Sequence, residues 1–141
     1  MADQLEVTVD STNQRMGFTS ALRSLPPIAM DYIPPLGDGQ GYTPLELLLM
    51  SLSACSGSTV SLLLRKAGKN ILDVKVTARG TRREQHPTSF QSIALKFNLT
   101  SADITDADVQ KAIRMSEESV CPVWAMLKNS VEITTEYKII S

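Results

Sequence analysis

The sequence predicts an α+β fold in a single domain, on three observations. A capped, apolar stretch of helix length occupies the middle of the chain. Two segments with strand period follow it, and a third alternating segment closes the chain after a stretch of helical spacing. The 141 residues suit one domain, 1–141, and a chain of this length can bury a core without cross-links.

In the N-terminal part, Leu5 to Val9 alternates apolar and polar residues, which predicts a short strand. Met16 to Leu22 is its expected partner across a turn at Asp10-Ser11-Thr12-Asn13. Ile28 to Ile33 predicts a third strand, bounded by Pro26-Pro27 and Pro34-Pro35. Pro34 to Tyr42 is a loop, and its Gly37-Asp38-Gly39-Gln40-Gly41 run fits no phosphate-binding pattern.

The helix that follows is marked at both ends. Thr43 is the expected N-cap, Pro44 suits the first helical position, and Glu46 completes a capping box. Arg65 and Lys66 fall in the last turn and Gly68 caps the end. The span is about 24 residues, or about 36 Å. It is apolar nearly all round, and a small domain can hardly enclose so long a helix, so burial between two subunits is expected. Leu47 to Leu64 carries no charge and meets the lower length limit of a membrane span. Its many serines, with Thr59 and Gly57, argue instead for a helix packed closely against protein.

Leu72, Val74, Val76 and Ala78 share one face of a strand, and Ile93, Leu95, Phe97 and Leu99 share one face of the next. The two read as a hairpin whose loop carries Arg82, Arg83, His86 and Pro87. Val109, Ala112, Ile113, Ser116 and Val120 fall at helical spacing, and a short helix is expected to start at Cys121-Pro122. Val131 to Ile139 alternates as the closing strand.

Composition narrows the function. Fourteen basic and fifteen acidic residues leave a net charge of -1, with no basic surplus for nucleic acid. The N-terminus has neither the basic nor the apolar part of a secretory signal, which predicts a cytoplasmic protein with reduced thiols. The two cysteines, Cys55 and Cys121, are therefore inert core residues or reactive ones. Cys55 lies mid-helix, where a small buried hydrophobe is one reading; Ser53, Ser56 and Gly57 around it permit close approach and supply hydroxyls. Cys121 directly precedes a helix start, where free N–H groups stabilise a thiolate. Taken locally, Cys121 has the stronger claim to reactivity. With one histidine in the chain, neither a Cys/His metal site nor a Cys-His hydrolase is well supported, and His86 reads as a turn residue.

The segment Thr43-Pro44-Leu45-Glu46-Leu47-Leu48-Leu49, with Ser53-Ala54-Cys55, resembles the first-cysteine helix of the OsmC/Ohr family of osmotically inducible and organic hydroperoxide resistance proteins. Val120-Cys121-Pro122-Val123 resembles its second-cysteine motif, and Arg83-Glu84-Gln85-His86-Pro87 with Phe90 resembles a hairpin of the OsmC-like branch. The resemblance implies antiparallel sheets around a long central helix, in an intertwined homodimer. It also implies a thiol peroxidase that needs no cofactor. Cys55 would attack an organic hydroperoxide, Cys121 would resolve the sulfenic acid as a disulfide, and a dithiol would reduce it.

Two positions depart from the pattern. Leu45 stands where the hydroperoxide resistance branch has glutamate, and Glu46 follows one step later, as in the OsmC-like branch. Gly17 stands where the family has an activating arginine; Arg15 and Arg23 flank it, and Arg15 is the preferred substitute. Glu46 and Cys55 lie on opposite faces of one helix, about 13.5 Å apart along its axis. Any contact between them must come from a partner subunit, or Glu46 is only a cap. The expected site is thus Cys55, Cys121, Glu46 and Arg15. The alternative is a non-enzymatic or weakly active dimeric binding protein of the stress response, with an unactivated Cys55.

Overall fold

The computed structural model describes residues 3–141. In chain order the elements are β1 (Asp10–Ser11), β2 (Phe18–Ser20), β3 (Ile28–Met30), α1 (Pro44–Lys66), β4 (Asp73–Arg82), β5 (Phe90–Thr100), α2 (Asp106–Met115), α3 (Pro122–Leu127) and β6 (Glu132–Ile140). A π-helical segment, Ser116–Val120, leads from α2 towards α3. The chain forms two compact units, Met1–Leu48 and Leu49–Ser141.

The first unit holds an antiparallel sheet in the order β1-β2-β3. The strand expected over Leu5 to Val9 does not form, and pairing begins at Asp10. An alternating segment becomes a strand when something covers its apolar face. Here Leu5 is 95% and Val7 67% exposed. Because β1 occupies Asp10–Ser11, the expected turn shifts downstream, and Thr12 N–H donates to the Gly17 carbonyl at 3.0 Å. Beyond β3, the carboxylate of buried Asp31 accepts the backbone N–H groups of Tyr32, Gln40 and Asp38 at 2.7, 3.1 and 3.3 Å. These donors hold its pKa below the ordinary carboxylate value. They also fold the loop so that Tyr42 returns to β3 just before the helix begins.

The caps of α1 are those the sequence marks. Thr43 N–H donates to Glu46 Oε1 at 2.8 Å, and Glu46 N–H donates to Thr43 Oγ1 at 3.2 Å. At the other end Gly68 takes φ 83°, a left-handed conformation, and Lys69 N–H donates to the Leu64 carbonyl at 3.1 Å.

The second unit holds a sheet in the order β4-β5-β6. β4 and β5 form the expected hairpin, although Leu72 precedes the strand and is exposed. β6 runs parallel to β5, from Ser92↔Glu132 to Thr100↔Ile140, so the expectation of antiparallel sheets is corrected at this pairing. Parallel neighbours need a long crossover, and α2, the π-helical segment and α3 provide one. Ile93, Leu95, Phe97 and Leu99 on the central strand are almost fully buried, each stabilising the fold by about 1.5–3 kcal/mol. On α1 the buried residues include Leu52, Ser56, Gly57, Val60 and Leu64. The helix is long and apolar enough to cross a membrane, yet Ser56, Gly57, Thr59 and Ser61 are among the residues it buries within the protein.

The expected helical register from Val109 to Val120 widens after Met115. Cys121 N–H donates to the Ser116 carbonyl, five residues back, at 3.0 Å. Pro122 disfavours helical geometry in the residue before it, and Cys121 is extended, with φ −73° and ψ 108°. The chain therefore breaks at Cys121 and restarts as α3.

Gly57 marks the close approach of α1 to β4, since a Cβ there would lie 2.8 Å from Val76 Cγ2. Alanine improves helix propensity by about 1 kcal/mol, whereas overpacking costs about 1–3 kcal/mol. Gly57→Ala is expected to lower the free energy of unfolding in urea titrations. Adding Val76→Ala should give a double variant less destabilised than the sum of the two single changes.

Candidate active site

Cys55 sits in the middle of α1, half-buried, and Cys121 is the residue before α3, 1% exposed. Both are free thiols. Although 66 positions apart in sequence, their Sγ atoms are 3.1 Å apart, with Cys121 donating to Cys55. A disulfide requires about 2.05 Å, so a closure of about 1 Å separates contact from bond.

The start of α3 serves a different sulfur from the one expected. Cys121 is the N-cap, but its side chain makes no capping hydrogen bond. Pro122 occupies the first helical position and has no N–H. The backbone amide of Val123 favours the Cys55 thiolate. Thus the local argument that favoured Cys121 is corrected, and the helix terminus acts on Cys55. That donor opposes the larger influence of burial, which pushes the Cys55 thiol above its ordinary pKa, and the Cys121 sulfur raises it further. No cationic side chain is among the groups that shift it.

Ser56 is wholly buried, and its Oγ lies 3.5 Å from Cys121 Sγ. Sequence reasoning noted the hydroxyls near Cys55 without assigning this contact. Nor did it find Val123, although the missing N–H of Pro122 leaves that amide as the first donor of α3.

Glu46 and Arg15 are occupied within the first unit. Glu46 holds the Thr43 cap. The Arg15 guanidinium pairs with Asp38 and donates to the carbonyls of Pro35 and Leu36 at 2.9 and 3.0 Å. A Cβ at Gly17 would lie 2.6 Å from Thr12 Oγ1 and 2.7 Å from Asn13 Nδ2, so those side chains would have to shift. Arg23 has φ 59°, in the left-handed region.

An open concavity elsewhere in the second unit is lined by Gln110, Arg114, Glu117, Thr135, Glu136 and Tyr137 among others, and by neither cysteine. Burial raises the Glu117 pKa there, while a 3.4 Å hydrogen bond from Thr135 Oγ1 opposes the shift.

The sequence pattern described as OsmC-like protein matches residues 37–136. The chain belongs to this family. The match includes Glu46, Cys55 and Cys121, begins after Arg15, and runs across the division between the two units. Protein YhfA of Escherichia coli strain K12 is 35% identical over 99 residues, covering 70% of this chain and 74% of YhfA. A protein of Aquifex aeolicus VF5 superposes with a TM-score of 0.85 at 28% identity, covering 98% of this chain and 97% of its own. The organic hydroperoxide resistance protein OhrB of Bacillus subtilis shares the fold, with a TM-score of 0.67 at 17% identity, covering 95% of this chain and 98% of its own.

The elevated thiol sets a pH dependence. Protonated Cys55 is the form the folded site favours, so iodoacetamide alkylation in a Cys121→Ser chain should keep rising through about pH 8.5, the free-thiol value. With Cys121 intact, the midpoint should lie higher still, because its sulfur adds to the shift. Linkage has the corresponding sign: above the unfolded pKa the unfolded chain releases a proton that the folded chain retains. This thiol's contribution to stability therefore falls as pH rises towards the folded pKa.

Proposed function

We propose that the protein is a thiol peroxidase of organic hydroperoxides. The observation that carries this reading is the 3.1 Å contact between two free thiols. Family membership and the fold shared with organic hydroperoxide resistance proteins support a redox role in peroxide resistance.

In this reading Cys55, the more exposed sulfur, attacks the terminal peroxide oxygen and releases an alcohol. Cys121 then attacks the sulfenic acid, water leaves, and a dithiol reduces the disulfide. The protein acts in the cytoplasm as a homodimer of one OsmC-like domain. Supporting the dimer, Met50, Ala54, Ser58 and Leu62 form an exposed, uncharged row at four-residue spacing on α1. Glu46 and Arg15 complete the proposed site, with Arg15 supplying positive charge once released from Asp38.

A second reading is favoured by one observation. Burial raises the Cys55 pKa without a cationic contribution, which suits a dimeric binding protein whose thiols are not activated. The two readings separate on oxidation. A stoichiometric dose of cumene hydroperoxide should convert both thiols into a Cys55–Cys121 disulfide, seen by mass spectrometry as the loss of two hydrogens. Cys55→Ser should reduce turnover to background, and Cys121→Ser should stop at a sulfenic acid that dimedone traps. Full turnover by Cys55→Ser, or thiols untouched by peroxide, would refute the peroxidase reading.

Glutamine also completes a capping box, so Glu46→Gln preserves the cap while removing the charge. A catalytic Glu46 requires kcat/KM to fall at least about tenfold with the melting temperature unchanged. A cap alone predicts unchanged turnover, with about 1 kcal/mol lost only in Glu46→Ala.

A further inference from the structure

Two hydroxyls of α1 bond back to their own helix. Ser53 Oγ donates to the Leu49 carbonyl and Thr59 Oγ1 to the Cys55 carbonyl, each at 2.8 Å, as serine and threonine inside helices commonly do. Ser56 differs. It is 0% exposed, and its Oγ lies 3.5 Å from the sulfur of Cys121. Cys121 has one thiol proton, and that proton is directed at Cys55 Sγ. The Ser56 hydroxyl is thereby left as the donor to Cys121. A directed chain results: Ser56 O–H to Cys121 S–H to Cys55 sulfur.

We propose that Ser56 is a positioning residue for disulfide formation, holding Cys121 against Cys55 and stabilising the Cys121 thiolate from which attack begins. The proposal rests on the peroxidase reading. In the first step the Cys55 sulfur bonds to the terminal oxygen of the hydroperoxide and the O–O bond breaks. The sulfur loses two electrons, the peroxide gains them, and the thiol proton leaves with the alcohol. In the second step the Cys121 sulfur bonds to the Cys55 sulfur and the S–O bond breaks. The Cys121 proton is lost before attack, and the departing hydroxide takes up a proton and leaves as water. Ser56 loses no proton in either step. Its hydrogen bond is strongest while Cys121 is a thiolate, before the sulfur gives up charge to the new bond, and at a sulfur 1% exposed little solvent is available to replace it.

The test is the pH profile of the second step. Alanine suits a helix interior, so Ser56→Ala is expected to fold, which its thermal melt checks. Wild-type and Ser56→Ala chains are mixed with excess cumene hydroperoxide, quenched in acid and resolved by mass into thiol, sulfenic acid and disulfide. Sulfenic acid formation should be alike in both. In Ser56→Ala the pH midpoint of disulfide formation should rise by about one unit. A less stabilised thiolate is scarcer but more nucleophilic, with a Brønsted slope of about 0.4–0.5. The variant should therefore be about threefold slower below both midpoints and about threefold faster above them, so the two profiles cross. Superposed profiles, or a uniform slowing at every pH, would overturn the role of Ser56. If peroxide leaves Cys55 reduced in both chains, the peroxidase reading falls, and the proposal falls with it. Sulfenic acid formed normally, followed by superposed disulfide profiles, removes only the Ser56 proposal.

Discussion

The burial of β5 between its neighbours and beneath its own inner face is the constraint from which the second unit follows. Ile93, Leu95, Phe97 and Leu99 are removed from water on one side of the strand, while backbone ladders occupy both edges. A strand paired on both edges leaves its companions little freedom of register, because a one-residue slip would turn the apolar set outward. The parallel pairing of β6 then requires a crossover, and that crossover carries Cys121. Gly57 permits α1 to approach Val76, and α1 carries Cys55. The thiol contact is thus produced by two long-range packing decisions rather than by any local motif.

Within the contact, two opposing influences meet at one sulfur. Burial favours the neutral thiol, whereas the Val123 amide favours the thiolate. Pro122 has a part in both. By forcing Cys121 out of helical geometry it creates a new helix start, and by lacking an N–H it passes the first free donor to Val123. A residue with no acid–base chemistry of its own thus sets where the first free amide of α3 stands.

Much of this was legible in the residues. The caps of α1 use local chemistry, and Thr43, Glu46 and Gly68 act as their types and spacing require. The hairpin of β4 and β5 and the helical positions from Val109 to Ile113 follow from periodicity alone. The illegible parts depend on distant partners. Leu5 to Val9 has strand alternation but no covering surface here, so its pattern states a need that its own unit does not meet. The direction of β6 cannot be read from alternation, which is the same in parallel and antiparallel ladders. The pairing of Cys55 with Cys121 came from family resemblance, because a separation of 66 residues carries no geometric signal.

The elevated Cys55 thiol is compatible with peroxidase chemistry only at a definite kinetic cost. Each unit of increase above neutral pH reduces the thiolate fraction about tenfold, but a more basic thiolate is also a better nucleophile. With a Brønsted slope of about 0.4–0.5, the net loss in attack is about threefold per unit. That loss concerns the resting chain. In the peroxidase reading, substrate seated on the half-buried Cys55 thiol excludes water and strengthens the remaining electrostatic interactions, so positive charge at the peroxide would matter more there than in solvent. Arg15 is held in the first unit by Asp38 and two carbonyls. In the peroxidase reading, an Arg15 that served the thiol would first have to leave these three acceptors.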